Sequence, residues 1–121
     1  MRIVVLDAFT TDQGDADAWR GLAAHGEQIV HPRTASVDLV ARCAGAEAVL
    51  TNKAPLDAAT IAALPALRYV GVLGTGYNVV DVDTCRARGI AVCNVPGYST
   101  GSVAQHVFAL VLHLVSDVAG H

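Results

Sequence analysis

Apolar and polar positions switch along this chain between the two-residue beat of strands and the 3.6-residue beat of helices. Residues 2–7 form a β-branched run and predict a first strand. Further short apolar runs predict strands at 28–31, 47–51, 67–73 and 90–95. Helical spacing fills the gaps between them. Residues 15–25 put Ala18, Trp19, Leu22 and Ala23 on one face and stop at Gly26. Ser36 can cap a helix carrying Val37, Val40 and Ala41 that ends at Gly45. Asp57 caps a helix over 57–64 stopped by Pro65, and Asp81 caps one over 82–88 ended by Gly89. A longer helix is predicted over 102–118, with Ser99, Thr100 or Ser102 as its N-cap.

Five strands alternating with five helices predict an α/β fold, a parallel sheet with helices on both faces. Strands three to five are nearly continuous apolar runs, as expected of strands buried on both sides. The last helix breaks the pattern. Val103, Val107, Phe108, Val111, Leu112 and Leu114 spread round its surface, leaving a polar stripe of Ser102, His106, His113 and Asp117. A helix apolar on nearly every side must be covered on nearly every side, and one sheet covers only one. This helix is therefore expected to pack on another chain or to belong to a longer polypeptide.

Composition narrows the picture. The 121 residues suffice for one domain with a real core, and 53% of them are hydrophobic. A formal charge of −3 implies neither nucleic acid nor an anionic membrane as partner. No apolar stretch reaches the roughly 20 residues of a membrane span, and the N-terminus meets Asp7 too soon for a signal peptide. Cys43, Cys85 and Cys93 are odd in number and form no ligand spacing. They are expected to be buried or half-buried thiols in a reducing cytoplasm.

In an open parallel sheet, ligands bind beyond the carboxyl ends of the strands. Four polar loops fall there: residues 7–11, 51–53, 74–78 and 96–102. Lys53 is the only cation among them. The loop Gly74-Thr75-Gly76-Tyr77-Asn78 resembles a dinucleotide fingerprint, but that motif needs a third glycine where Val79 stands. Its glycines can instead offer N–H groups to a small anion, or simply make a tight turn. Lys53 strengthens the anion reading if strands three and four are neighbours. His106 and His113 lie about 10.5 Å apart along a helix, too far to share a metal ion, so no metal site is expected. A phospho-receiver domain would need an aspartate at the end of strand three, where Thr51-Asn52 stands.

Three segments in register, Thr51-Asn52-Lys53, the run from Gly74 to Asp81, and the run from Asn94 to Leu110, strongly resemble the D-isomer-specific 2-hydroxyacid dehydrogenases. The similarity is greatest to the glycerate dehydrogenase, or hydroxypyruvate-glyoxylate reductase, branch. It implies a flavodoxin-like, five-stranded substrate-binding domain over residues 1–101. It also implies a crossing helix over 102–121 that leads to an NAD(P)-binding Rossmann domain beyond this sequence. By resemblance, the N–H groups of Thr75 and Gly76 hold the substrate carboxylate, Gly74 shapes the loop, and Thr51 and Lys53 line the same pocket. Thr100 matches a position near the cofactor, NAD or NADP. The family's glycine fingerprint, arginine, acid and catalytic histidine, and the segment that returns to complete the first domain, match nothing in these 121 residues. The chain alone is thus expected to be inactive, with no catalytic residue of its own, within a complete cytoplasmic, homodimeric enzyme. The alternative is a non-enzymatic flavodoxin-like module that binds small anions or another protein.

Overall fold

The protein, seen in a computed structural model that describes residues 1–15, 17–117 and 120, is organised around one parallel sheet. Its strands are β1 (Arg2–Val5), β2 (Glu27–Val30), β3 (Ala48–Thr51), β4 (Tyr69–Val72) and β5 (Ala91–Cys93). They lie in the order β2-β1-β3-β4-β5, the flavodoxin-like order, with the direction of winding reversed between β1 and β3. Five α-helical segments follow: α1 (Phe9–Asp12), α2 (Leu39–Arg42), α3 (Ala58–Ala62), α4 (Val82–Ala87) and α5 (Thr100–Ser116).

The register explains the core. Val4 stands opposite Ile29 and Val49, Val49 opposite Val70, and Val70 opposite Val92. Because side chains alternate across a strand, these five form one apolar row on one face. Leu39 and Cys43 of the α2 region, Ile61 and Leu64 of the α3 region, and Cys85 of α4 cover that row. Val5 points to the opposite face, where it meets Ala8 and Trp19 with Leu22 and Leu50 beside them. This second cluster is much smaller than the first.

The short helices hold their ends with side chains and glycine. Asp57 accepts the Thr60 N–H at 2.8 Å, and Asp81 accepts the Thr84 N–H at 2.8 Å, as the sequence predicts. Gly89, at φ +69°, ends α4. Its N–H donates to the Arg86 carbonyl while the Ile90 N–H donates to Cys85, the paired bonds of a Schellman turn.

Elsewhere local signals are overridden. Residues 15–25 do not form an α-helix: a 3-10 segment covers Arg20–His25, and Trp19 anchors it by donating its indole N–H to Asp12 at 2.6 Å. Ala16, within that predicted helix, lies outside the described residues. The single turn α1 was not signalled. It closes on Gln13 at φ 51°. Ser36 makes no capping bond and begins a 3-10 turn instead, so the next helix runs through Leu39 and Cys43. Those two residues, four apart, take the core side, and Val37 is left 90% exposed. β5 is an edge strand with only Val92 turned to the core, so Ala91 and Cys93 are exposed rather than buried. The final helix starts at Thr100, ends at Ser116 and has no buried residue. Val118, within the predicted helix, lies outside the described residues.

Candidate functional site

The loops at the carboxyl ends of β1, β3, β4 and β5 meet, because those four strands are consecutive neighbours in the sheet. The residue that organises them is Asp7, just past β1 and 4% exposed. Its carboxylate accepts the N–H of Asn52 at 2.8 Å, that of Ala54 at 3.1 Å, and that of Lys53 between them. Three successive N–H groups on one carboxylate fix the loop after β3 and leave the Lys53 side chain exposed. Thr51 is fully buried and donates its hydroxyl to the Ala54 carbonyl at 2.8 Å, which tightens the same turn from inside. The side chain of Asn52 reaches back to donate to the Thr10 hydroxyl at 3.0 Å.

The loop after β4 is fixed from the other side. Val95 donates its N–H to the Gly74 carbonyl at 3.0 Å, and Asn94 donates its side-chain amide to the Thr75 carbonyl at 2.8 Å. The Thr75 hydroxyl donates to the Val95 carbonyl at 3.0 Å. The carbonyls of Gly74 and Thr75 are thus turned to the β5 loop. The N–H groups of Thr75 and Gly76 donate to no acceptor among the described residues. Gly74 is buried against Asn52: a Cβ there would lie 3.1 Å from Asn52 Oδ1. Below the loop, the Leu56 N–H donates to Val79 at 2.7 Å and the Asp81 N–H donates to Leu56 at 2.9 Å. This bridge ties the entry of α3 to that of α4.

Together these loops enclose a cavity of about 400 Å³. Lys53 and Asn52 form one wall, Gly74, Thr75 and Gly76 another, and Tyr98 and Ser99 close it at the foot of α5. Lys53, Gly74, Thr75 and Gly76 are therefore brought together. Thr51 lies inside the fold behind Lys53, and Thr100 is exposed as the first residue of α5. Ser99 occupies the N-cap position of α5 in a helical conformation and makes no side-chain capping bond. The hydroxyl cap predicted for this helix is absent. The first-turn N–H groups of α5 thus open beside the cavity without a side-chain acceptor, where an anion is favoured.

The cavity offers one cation and several N–H donors, a combination that suits a carboxylate. It offers no activated nucleophile. Burial pushes the Cys43 thiol up to about 11, and burial and then Asp81 push the Cys85 thiol up, so both remain thiols at neutral pH. Among the described residues no group of three His, Cys, Asp or Glu could hold a metal ion. His106 and His113 lie exposed on α5. Sequence reasoning passed over Asp7. Its signal was an acid ending an otherwise β-branched strand, a position that burial would make costly without donors.

Comparison with known proteins fits this arrangement. The model of the D-isomer specific 2-hydroxyacid dehydrogenase catalytic domain matches residues 3–111. The whole chain is 46% identical to part of a hydroxypyruvate reductase of Blautia hydrogenotrophica, spanning 38% of that protein. Over 64% of its length it is 39% identical to a glycerate dehydrogenase of Methylorubrum extorquens, spanning 24% of that protein. Among solved structures, the Aquifex aeolicus D-lactate dehydrogenase complexed with NAD and lactic acid superposes with a TM-score of 0.73. It covers 95% of this chain and 34% of its own at 22% identity. The TT0316 protein of Thermus thermophilus gives 0.78 over 98% of this chain and 39% of its own, at 24% identity. The chain thus spans well under half of each of these proteins.

Proposed function

The chain belongs to the D-isomer specific 2-hydroxyacid dehydrogenase family, and from that premise we propose that it is the substrate-binding part of an NAD(P)-dependent oxidoreductase. The reaction is exchange of hydride at C2 of a small 2-hydroxy or 2-keto acid, with glycerate, hydroxypyruvate and glyoxylate as substrates. The identity to hydroxypyruvate reductase across the whole chain supports that choice. The nicotinamide supplies the hydride. No dinucleotide loop stands among the described residues, since Val79 occupies the third glycine position.

The observation that carries the reading is the strand-end cavity. The free N–H groups of Thr75 and Gly76 receive the substrate carboxylate, and the Lys53 ammonium stands on the facing wall. Thr51 and Asp7 act behind them by holding the 51–54 turn in place. The work of these residues is positional: a carboxylate held against rigid donors keeps C2 in one place. The proton at the C2 oxygen comes from a group outside this chain.

Residues 1–101 form the substrate domain. The helix α5 crosses to an NAD(P)-binding domain, with Thr100 close to the cofactor. Its exposed apolar face supports this, since Phe108 is 68% and Leu114 80% exposed. The complete enzyme is a cytoplasmic homodimer. Among the described residues no helix is long and apolar enough to cross a membrane.

The test uses the complete polypeptide with NADH and hydroxypyruvate. A Cβ at Gly76 meets only Asn78 Oδ1 at 3.5 Å, an ordinary contact, so Gly76→Val folds and places its methyl groups by the carboxylate donors. KM for hydroxypyruvate should rise about tenfold or more, equivalent to roughly 1.4 kcal/mol, with NADH affinity unchanged. Lys53→Met should act in the same direction. Equal loss of cofactor binding would return the loop to a dinucleotide role. Turnover by residues 1–121 alone would overturn the division of labour.

A further inference from the structure

A second cavity, of about 310 Å³, lies along edge strand β2 between that strand and the segment after β1, and shares no lining residue with the strand-end cavity. Phe9, Trp19 and Val30 give it apolar and aromatic walls, and Asp12 and Asp15 stand at its rim. Gln28 lines it too, and its Oε1 is buried without a hydrogen-bond partner. No basic side chain lines it.

Each feature favours the same guest. A buried unpartnered acceptor is destabilising, and a donor removes that cost. Two carboxylates without a basic neighbour in the lining favour positive charge. The Asp12 carboxyl is held below its ordinary range by the Gly14 N–H and then by the Trp19 indole, which keeps it anionic. Aromatic faces attract cations and also pack against methylene groups. Arg33 already covers the Phe9 ring, 5.1 Å from its centroid, so Trp19 is the aromatic wall left for a guest.

We propose that this cavity binds a small organic cation: an ammonium or guanidinium group on a short apolar stem. The charged head lies among Asp12, Asp15 and the Gln28 amide, and the stem lies against Trp19 and Val30. The site is separate from the strand-end cavity and does not depend on the reaction assigned there.

The probe is n-butylammonium, titrated into the complete polypeptide against neutral n-butanol. Binding is followed at the Trp19 indole N–H by nuclear magnetic resonance, with Trp19→Phe identifying the signal. The ammonium should give a saturable shift with a millimolar dissociation constant, and butanol should give none. Gln28→Leu should weaken binding about tenfold. Asp15→Asn, an exposed change, should weaken it in the same direction, and Gln28→Glu should tighten it. Equal shifts from butanol and butylammonium would reduce the cavity to an apolar hole and overturn the proposal. So would the lack of a saturable ammonium shift in the millimolar range, or binding indifferent to both Gln28→Leu and Asp15→Asn.

Discussion

A carboxylate that takes backbone N–H groups from three consecutive residues is a fastener for a loop. Asp7 fastens the turn that presents Lys53. Asp7→Asn keeps the shape but replaces an acceptor oxygen by a donor facing N–H groups. Hydrogen bonds to charged groups are worth about 1.5–3 kcal/mol each, so the variant should lose about 2 kcal/mol, measured by urea unfolding. In the complete enzyme its KM for the keto acid should rise more than its kcat falls, because the donors shift and the reacting groups do not. An unchanged KM would mean that the 51–54 turn holds its place without Asp7. Thr51 shows the same division between contact and support. The sequence puts it beside Lys53, yet its side chain turns inward to Ala54. Residues two apart would share a face in an extended strand, so the turn that begins after Thr51 and is fastened by Asp7 is what sends the two side chains apart.

Among the elements, those whose aspartate cap makes its hydrogen bond formed where the pattern put them. α3 and α4 each begin at an aspartate that accepts the N–H three residues on, and α4 ends at a glycine in the left-handed region. Asp81→Ala should therefore cost about 1 kcal/mol of stability, seen as a lower urea midpoint with an unchanged slope. Loss well beyond that would show that Asp81 also supports the Leu56 bridge, to which its own N–H donates. The signals at Gly26 and Ser36 were overridden. The 15–25 segment has glycine at 21 and an aspartate turn at 15–17, where the Asp17 N–H donates to the Asp15 side chain at 2.9 Å. It settled into 3-10 geometry around Trp19. The helix after Ser36 turned Leu39 and Cys43 inward because burying Leu39 yields more than burying Val37, which one face cannot accommodate as well.

At the scale of the whole molecule, the sheet has one well-covered face and one thinly covered face, and α5 stands almost bare. An apolar helix exposed along its length favours association. Residues 1–121 in isolation should associate through it, and Val107→Gln with Phe108→Gln should shift sedimentation towards a monomer. A monomeric parent chain would remove the need for a covering domain. Hydrophobic alternation by itself determined the α/β class, the five strands and the surplus apolar helix, because burial is a one-dimensional pattern before it is a shape. The glycine loop and Lys53 were legible for the same reason: strand ends can be counted along a chain. Tertiary structure alone decided the order β2-β1-β3-β4-β5, which makes β5 an edge and leaves Cys93 in solvent. It also decided that Asp7 serves the backbone of residues 52–54, and that Gln28 is left with a buried acceptor. Those outcomes depend on which groups lie within about 3 Å of one another across dozens of residues, and no local pattern carries that distance.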